Sequence, residues 1–231
     1  MYKRILLKLS GEALSGGKGF GLDAETTRQV ARQVKEAKDL GTEIAIVIGG
    51  GNFWRGRSSE GIDRVKADQI GMLGTVMNCL YVSEIFRTEG MDTAVYTPYA
   101  IGLYSEIFNK DKAVRDLEAG KVVFFAGGTG HPFFSTDMGT ALRAAETECE
   151  IILMAKSIDG VYDSDPAKNP NAKKYDKLSY QEMLAQNLKV IDLPAAAFCM
   201  ENNIPSKLFA LYEDKSIIRV VQGEEIGTTL S

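Results

Sequence analysis

The chain has 231 residues, 45% hydrophobic and 25% charged, with a formal net charge of -4. That length suits one sizeable domain or two fused lobes, with enough apolar residues for a large core. The slight acidic balance argues against a general polyanion binder, so no nucleic-acid partner is expected, yet it leaves room for a local positive site for a small phosphorylated ligand.

Three cysteines, Cys79, Cys149 and Cys199, are odd in number and far apart. They form no CxxC pair, so neither a zinc site nor a redox couple is expected, only reduced, partly buried thiols. The first apolar run is too short for a signal peptide, and no later run could span a bilayer. A cytoplasmic protein without membrane contact is the expectation.

In chain order, Ile5-Leu6-Leu7-Lys8-Leu9 reads as a strand that carries a lysine and stops at Ser10-Gly11. Gly16-Gly17-Lys18-Gly19-Phe20-Gly21 reads as a mobile loop or hairpin. Asp23 is an N-cap, with Val30, Val34 and Ala37 at helical spacing and Gly41 as the stop. Ile44 to Ile48 is a strand buried on both faces, followed by Gly49-Gly50-Gly51-Asn52. A long helix is predicted from Asp63 to Thr88, with Leu73, Val76 and Leu80 on one face. A strand at Thr93 to Tyr96 and a helix at Lys110 to Ala119 follow.

Val122 to Ala126 is a strand that runs into Gly127-Gly128-Thr129-Gly130. A helix then starts near Ser135 or Thr136 and reaches Glu148, and Ile151 to Ala155 is a strand. Asp159 to Pro166 is a turn-rich loop, and the Lys-, Asn- and Pro-rich segment to Tyr175 should be mobile. Ser179 and Glu182 form a capping box, and Asp192 with Pro194 starts a helix that stops near Asn202. Lys207 to Leu211 is a strand, Ser216 to Gln222 a helix, and Gly227 to Leu230 a last strand. Strands alternate with helices throughout, without an internal repeat or linker. The expected class is α/β, a three-layer domain around a mainly parallel sheet.

Two strands end in glycine clusters, and a third ends in Ser10-Gly11. Ligands of open α/β sheets bind outside the carboxyl ends of the strands, where glycines let N–H groups approach a phosphate. No G-x-x-x-x-G-K-[ST] motif and no G-x-G-x-x-G after the first strand are present, so a P-loop enzyme and a Rossmann dehydrogenase are disfavoured. His131 is the one histidine, which excludes a zincin and leaves a triad hydrolase little to work with. What remains is a phosphate site of lysine, arginine and backbone amides, a combination suited to phosphoryl transfer. Lys8 and Arg55 are its positive candidates. Asp137 either orients Lys8, holds a metal ion, or merely complements its helix dipole.

KRILLKLSGEAL at 3–14, VIGGGNFWR at 47–55, ADQIGMLGTVMN at 67–78, AGGTGHPFFSTDMGTALR at 126–143 and DGVYDSDP at 159–166 resemble the motifs of the amino acid kinase family, in its uridylate kinase branch. The resemblance runs through essentially the whole chain in order. It implies a central eight-stranded, mainly parallel sheet, a single amino acid kinase domain over 1–231 whose N-terminal part binds UMP and C-terminal part ATP, and a homohexamer. The implied reaction is ATP + UMP to ADP + UDP with Mg²⁺, in de novo pyrimidine nucleotide synthesis.

By motif match, Lys8, Leu9, Ser10, Gly11, Gly51 and Arg55 would face ATP, with Tyr162 and Asp165 lining its adenine and ribose pocket. Gly50 would meet the UMP phosphate and Asp68 its ribose, and Thr129, Gly130, His131, Pro132, Phe133, Phe134, Ser135 and Thr136 would wrap the nucleotide. Lys8, Arg55 and Asp137 would form the catalytic centre. Where relatives carry Thr or Asn for an ATP contact this chain has Lys156, so that contact falls to Lys156 or Ser157. His131 stands where Asn is commoner. The loop Gly16, Gly17, Lys18, Gly19, Phe20, Gly21 resembles the family's allosteric region, which implies GTP as activator and UTP as inhibitor. Two alternatives stay open: a sister kinase for a carboxylate or carbamate, and a catalytically silent nucleotide- or oxyanion-binding assembly.

Overall fold

The computed structural model describes residues 1–55, 61–188 and 190–231. The first strand, β1 (Arg4–Leu9), occupies the middle of the sheet. On one side it pairs in parallel with β2 (Glu43–Ile48), which leads outward to β5 (Val122–Phe125), β3 (Thr93–Thr97) and β4 (Glu106–Ile107). On the other it pairs in parallel with β6 (Ile151–Lys156), which leads to β10 (Ser206–Ala210), β11 (Thr228–Leu230) and β9 (Lys177–Leu178). Only the β10–β11 pairing is antiparallel. A separate antiparallel pair, β7 (Val161–Tyr162) with β8 (Lys174–Tyr175), closes the turn-rich segment. That segment holds hydrogen bonds of its own, such as Lys173 N–H to Asp163 at 3.0 Å.

The main sheet has nine strands among the described residues, where eight were expected. β4 and β9 are two-residue edge strands. Both β4 residues are exposed, so no apolar pattern announces them.

Helices cover both faces. α1 (Ala24–Asp39), α2 (Arg64–Thr88) and α7 (Ser216–Val221) pack on one core with Ile5, Leu7 and Leu9. α3 (Lys110–Glu118), α4 (Thr136–Glu146), α5 (Tyr180–Ala185) and α6 (Leu193–Glu201) pack on the other with Leu6. The expected caps are in place: Asp23, Ser179 with Glu182, and Asp192 with Pro194 behind it.

One expected helix face is corrected. Val76 is buried and Leu80 half-buried, but Leu73 is 50% exposed. It belongs to an outward stripe with Ile70, Met77 and Tyr81. All three cysteines are buried, and burial pushes the Cys79 thiol up to about 12 and those of Cys149 and Cys199 to about 11. No helix of the described residues is long and apolar enough to cross a membrane.

Candidate active site

β1, β2, β5 and β6 run parallel and end at one edge of the sheet, and alternation along the strands decides which side chains emerge there. Leu7 and Leu9 face the α1–α2–α7 layer, so Lys8 points with Leu6 to the α4–α6 layer. Its neighbour on β6 is Met154, whose side chain lies in the same core as Leu6. Lys156, two residues further, emerges on that face as well. Ser135 caps α4 by accepting from the Met138 N–H at 3.2 Å, which sets Asp137 in the helix's first turn opposite the two lysines.

Lys8 Nζ lies 3.0 Å from Asp137 Oδ1, with both side chains largely buried. Asp137 Oδ2 accepts from the Asp192 N–H at 3.4 Å, and Lys156 Nζ donates to the Val190 carbonyl. Burial pushes the Asp137 carboxyl up, but the Lys8 and Lys156 charges and its hydrogen bonds outweigh burial and hold it below the ordinary carboxylate value. Burial, then the Lys8 charge, depresses the Lys156 ammonium against the pull of Asp137. Two ammonium groups thus share one carboxylate. The excess positive charge is placed to meet an anion.

Cavities open on both sides of this centre. One of about 210 Å³ is lined by Gly50, Gly51, Asp68, Gly128, Thr129 and Phe134 among others, and by Thr136 next to Asp137. A second, about 360 Å³, is lined by Lys8, Ser10, Glu12, Lys156, Ser157 and Tyr212. A third, about 530 Å³, opens on Asp137, Lys156 and the start of α6.

Glycine is required where the first cavity meets α2. A Cβ at Gly50 would lie 2.7 Å from the Gly71 carbonyl oxygen and 3.2 Å from the Thr75 nitrogen. Thr75 ties α2 to the second glycine turn, since its Oγ1 donates to the Met72 carbonyl at 2.6 Å and accepts from the Gly127 N–H at 2.8 Å. Among the described residues, the N–H groups of Gly50, Gly51, Gly128 and Thr129 make no hydrogen bond to protein. Such a rim of backbone donors suits an anion.

Residues 3–210 match the amino acid kinase family. The chain belongs to the amino acid kinase family. Among solved structures, UMP kinase from Bacillus anthracis is similar at 38% identity, with 100% of this chain and 96% of that one covered and a TM-score of 0.96. UMP kinase from Ureaplasma parvum is similar at 35% identity, covering 100% and 99% of the two chains, with a TM-score of 0.94. Uridylate kinase from Archaeoglobus fulgidus is similar at 25% identity, covering 100% of both, with a TM-score of 0.76.

In this amino acid kinase the fold draws together most of the residues singled out from sequence. Lys8, Asp137 and Lys156 form the centre, Ser10 and Ser157 line the second cavity, and Gly50, Gly51, Asp68, Thr129, Phe134, Ser135 and Thr136 line the first. Asp68 Oδ2 accepts from Arg64 Nε at 2.9 Å and from the Phe133 N–H at 2.8 Å. It thereby holds Phe133 in the left-handed region, at φ 71°, with the Arg64 guanidinium 5.4 Å from its ring centre.

Other residues stand apart. Leu9 is wholly buried in the core, and its carbonyl accepts from the Gly49 N–H at 3.0 Å, so its side chain is not available to a ligand. Gly11 packs so closely on Asn52 and the Gly49 carbonyl that a Cβ would overlap both. Arg55 is ion-paired with Glu12 at the rim. Gly130, His131, Pro132 and Phe133 continue the loop beyond the cavity wall. Tyr162 donates to Asp159 at 2.8 Å, and Asp165 caps a turn by accepting from the Ala167 N–H at 3.0 Å, both at the β7–β8 pair. The loop from Gly16 to Gly21 lines none of these three cavities.

Sequence reasoning missed Arg64, Trp54 and Thr75 at the first cavity, and Tyr212 at the second. Arg64 had a readable signal, since it precedes Asp68 by four residues at a helix start. Tyr212 had none: its hydroxyl reaches the Ala13 carbonyl at 2.6 Å from 199 residues away.

Proposed function

We propose that the chain transfers the γ-phosphoryl group of ATP to UMP, giving ADP and UDP. The observation that carries this reading is the Lys8–Asp137 pair, 3.0 Å apart, flanked by a glycine-rimmed cavity on one side and by the Lys8–Lys156 cavity on the other. The similarity to UMP kinases over the full chain supports the acceptor.

UMP would occupy the first cavity, its ribose near Asp68 and its phosphate on the N–H groups of Gly50 and of Gly51, which lines this cavity and not the ATP-side one that the motif match implied for it. ATP would enter from the Lys8–Ser10–Lys156 side. A UMP phosphate oxygen then attacks the γ-phosphorus in line and ADP leaves. Lys8 and Lys156 neutralise charge on the transferring group, and Asp137 holds Lys8 in place. Arg55 would exchange Glu12 for phosphate as the site fills. Mg²⁺ arrives with ATP as part of the substrate. The described residues offer no cluster of three metal-ligating side chains, so phosphate oxygens and water would supply most of its ligands, with Asp137 and Glu12 as the carboxylates beside the two lysines.

The domain would act as one unit in the cytoplasm, supplying UDP for UTP and CTP synthesis. A homohexamer is part of this reading. The exposed α2 stripe of Ile70, Leu73, Met77 and Tyr81 supports self-association, because such a row of large apolar groups is costly to leave in water. GTP activation and UTP inhibition belong to the reading through the loop from Gly16 to Gly21.

The test is ADP release with UMP, CMP, AMP and GMP as acceptors, with and without GTP. Preference for UMP is expected, and equal rates for all four would overturn the assignment. Binding of ATP and UMP in a calorimeter without turnover would favour the silent assembly instead.

A further inference from the structure

Beneath the glycine turn of β2 lie two amides that touch none of the cavities described above. Asn52 follows the turn and is 1% exposed; Asn78, about four turns into α2, is 0% exposed. Each donates to the other, Asn52 Nδ2 to Asn78 Oδ1 at 2.9 Å and Asn78 Nδ2 to Asn52 Oδ1 at 2.8 Å. The second hydrogen of each amide is also used. Asn78 Nδ2 donates to the Gly49 carbonyl at 2.7 Å, and Asn52 Nδ2 donates to the Gly21 carbonyl at 2.7 Å. The Gly21 N–H donates in turn to the Asn52 carbonyl at 3.2 Å.

The pair therefore joins three pieces of chain that are distant in sequence. Asn78 fixes Gly49, the residue before the Gly50–Gly51 donors. Asn52 grips Gly21 by both its N–H and its carbonyl. Gly11 lies against Asn52 with no room for a Cβ, so the exit of β1 rests on the same amide. A buried amide leaves little slack, since every donor it carries must stay paired. Displacement at one of the three segments is felt by the other two.

We propose that Asn52 and Asn78 are positioning residues for the acceptor-phosphate turn, and that they couple its placement to the loop from Gly16 to Gly21. This rests on reading Gly50 and Gly51 as the phosphate donors of the acceptor site. Neither asparagine touches substrate. Asn78 holds the Gly49 carbonyl and so sets the backbone that carries the next two N–H groups, and Asn52 holds Asn78 in place.

The test uses the full-length enzyme with separate KM values for UMP and ATP. Asn78→Ala is expected to raise the UMP KM about tenfold, with kcat and the ATP KM changed less than about threefold. The double variant Asn52→Ala/Asn78→Ala is expected to be no worse than the single, as groups that act as a unit are not additive. Gly21→Ala reads the tether from a distance. Its added methyl meets nothing within 4 Å, yet φ of 72° strains an L residue there and pulls on Asn52. The UMP KM should rise in this variant too, though Gly21 lines none of these cavities.

Equal loss in both KM values and kcat for Asn78→Ala would reduce the pair to general stability and overturn the positioning role. An unchanged UMP KM in Gly21→Ala would overturn the coupling. Should the asparagine variants fail to fold, hydrogen exchange on the unmodified enzyme decides. UMP should slow exchange at 16–21, and no change there overturns the proposal. The unmodified enzyme's own turnover of UMP, measured alongside, separates failure of this inference from failure of the functional reading.

Discussion

Replacing Asp137 by Asn isolates the charge that balances two lysines. At 3.0 Å, the attraction between Asp137 and Lys8 is about 5.5 kcal/mol at an effective dielectric constant of about 20. Much of that is offset by the cost of burying both groups. The Asn side chain keeps the volume and can still accept from the Asp192 N–H, so the fold should survive with a loss of about 1–3 kcal/mol in urea unfolding. Catalysis should suffer more. Lys8 loses its fixed partner and is free to follow a phosphate into an unproductive pose, which should lower kcat by about 10²–10³. The ATP KM should stay level or fall, because removing a negative charge beside the lysines favours a polyanion. Initial rates of ADP release at varied ATP and UMP give both parameters, and circular dichroism checks the fold. A folded variant with unchanged kcat would refute the role given to Asp137. A strongly raised ATP KM would refute the charge argument even with kcat lowered.

Further outcomes follow from the same geometry. The depressed Lys156 ammonium should set an alkaline limb of activity below the ordinary lysine value of about 10.4, and Lys156→Met should lower kcat and abolish that limb in a pH–rate profile. The stability linkage has opposite windows for the two groups. Asp137, with its folded pKa depressed, contributes stability above its unfolded value of about 3.9 that is lost as pH falls through the folded value. Lys156, also depressed, lowers stability while charged, so stability rises as pH climbs from its folded value towards its unfolded one. Gly50→Ala puts a Cβ 2.7 Å from the Gly71 carbonyl, so it should cost about 1–3 kcal/mol in unfolding and raise the UMP KM. Leu73→Glu, in the middle of the exposed α2 stripe, should shift light scattering towards smaller species; an unchanged mass would remove the stripe from the interface.

The centre of the sheet and its edge chemistry were readable because they rest on local signals. Lys8 interrupts an apolar alternation, Asp137 follows an N-cap by two residues, and glycine clusters end two strands. The caps at Asp23, Ser179 and Asp192 were readable for the same reason. What escaped depends on distance. Asn52 meets Asn78 across 26 residues, and an amide gives no periodic signal. Tyr212 joins the second cavity from the far end of the chain. Leu73 was misread because helical spacing alone does not say which of two apolar stripes faces the sheet. α2 carries both, with Val76 inward and Leu73 outward. The two-residue edge strands β4 and β9 were missed because a strand so short is defined by its neighbour's hydrogen bonds and not by its own residues.

The most direct measurement follows the phosphoryl group itself. ATP labelled in its γ-phosphate is incubated with UMP and Mg²⁺, using the unmodified chain and the Lys8→Ala variant side by side. Label should appear in UDP with the unmodified chain, while Lys8→Ala should transfer it more slowly by about 10²–10³. Label released only as inorganic phosphate, or equal transfer by Lys8→Ala, would contradict a phosphoryl transfer organised around Lys8 and Asp137.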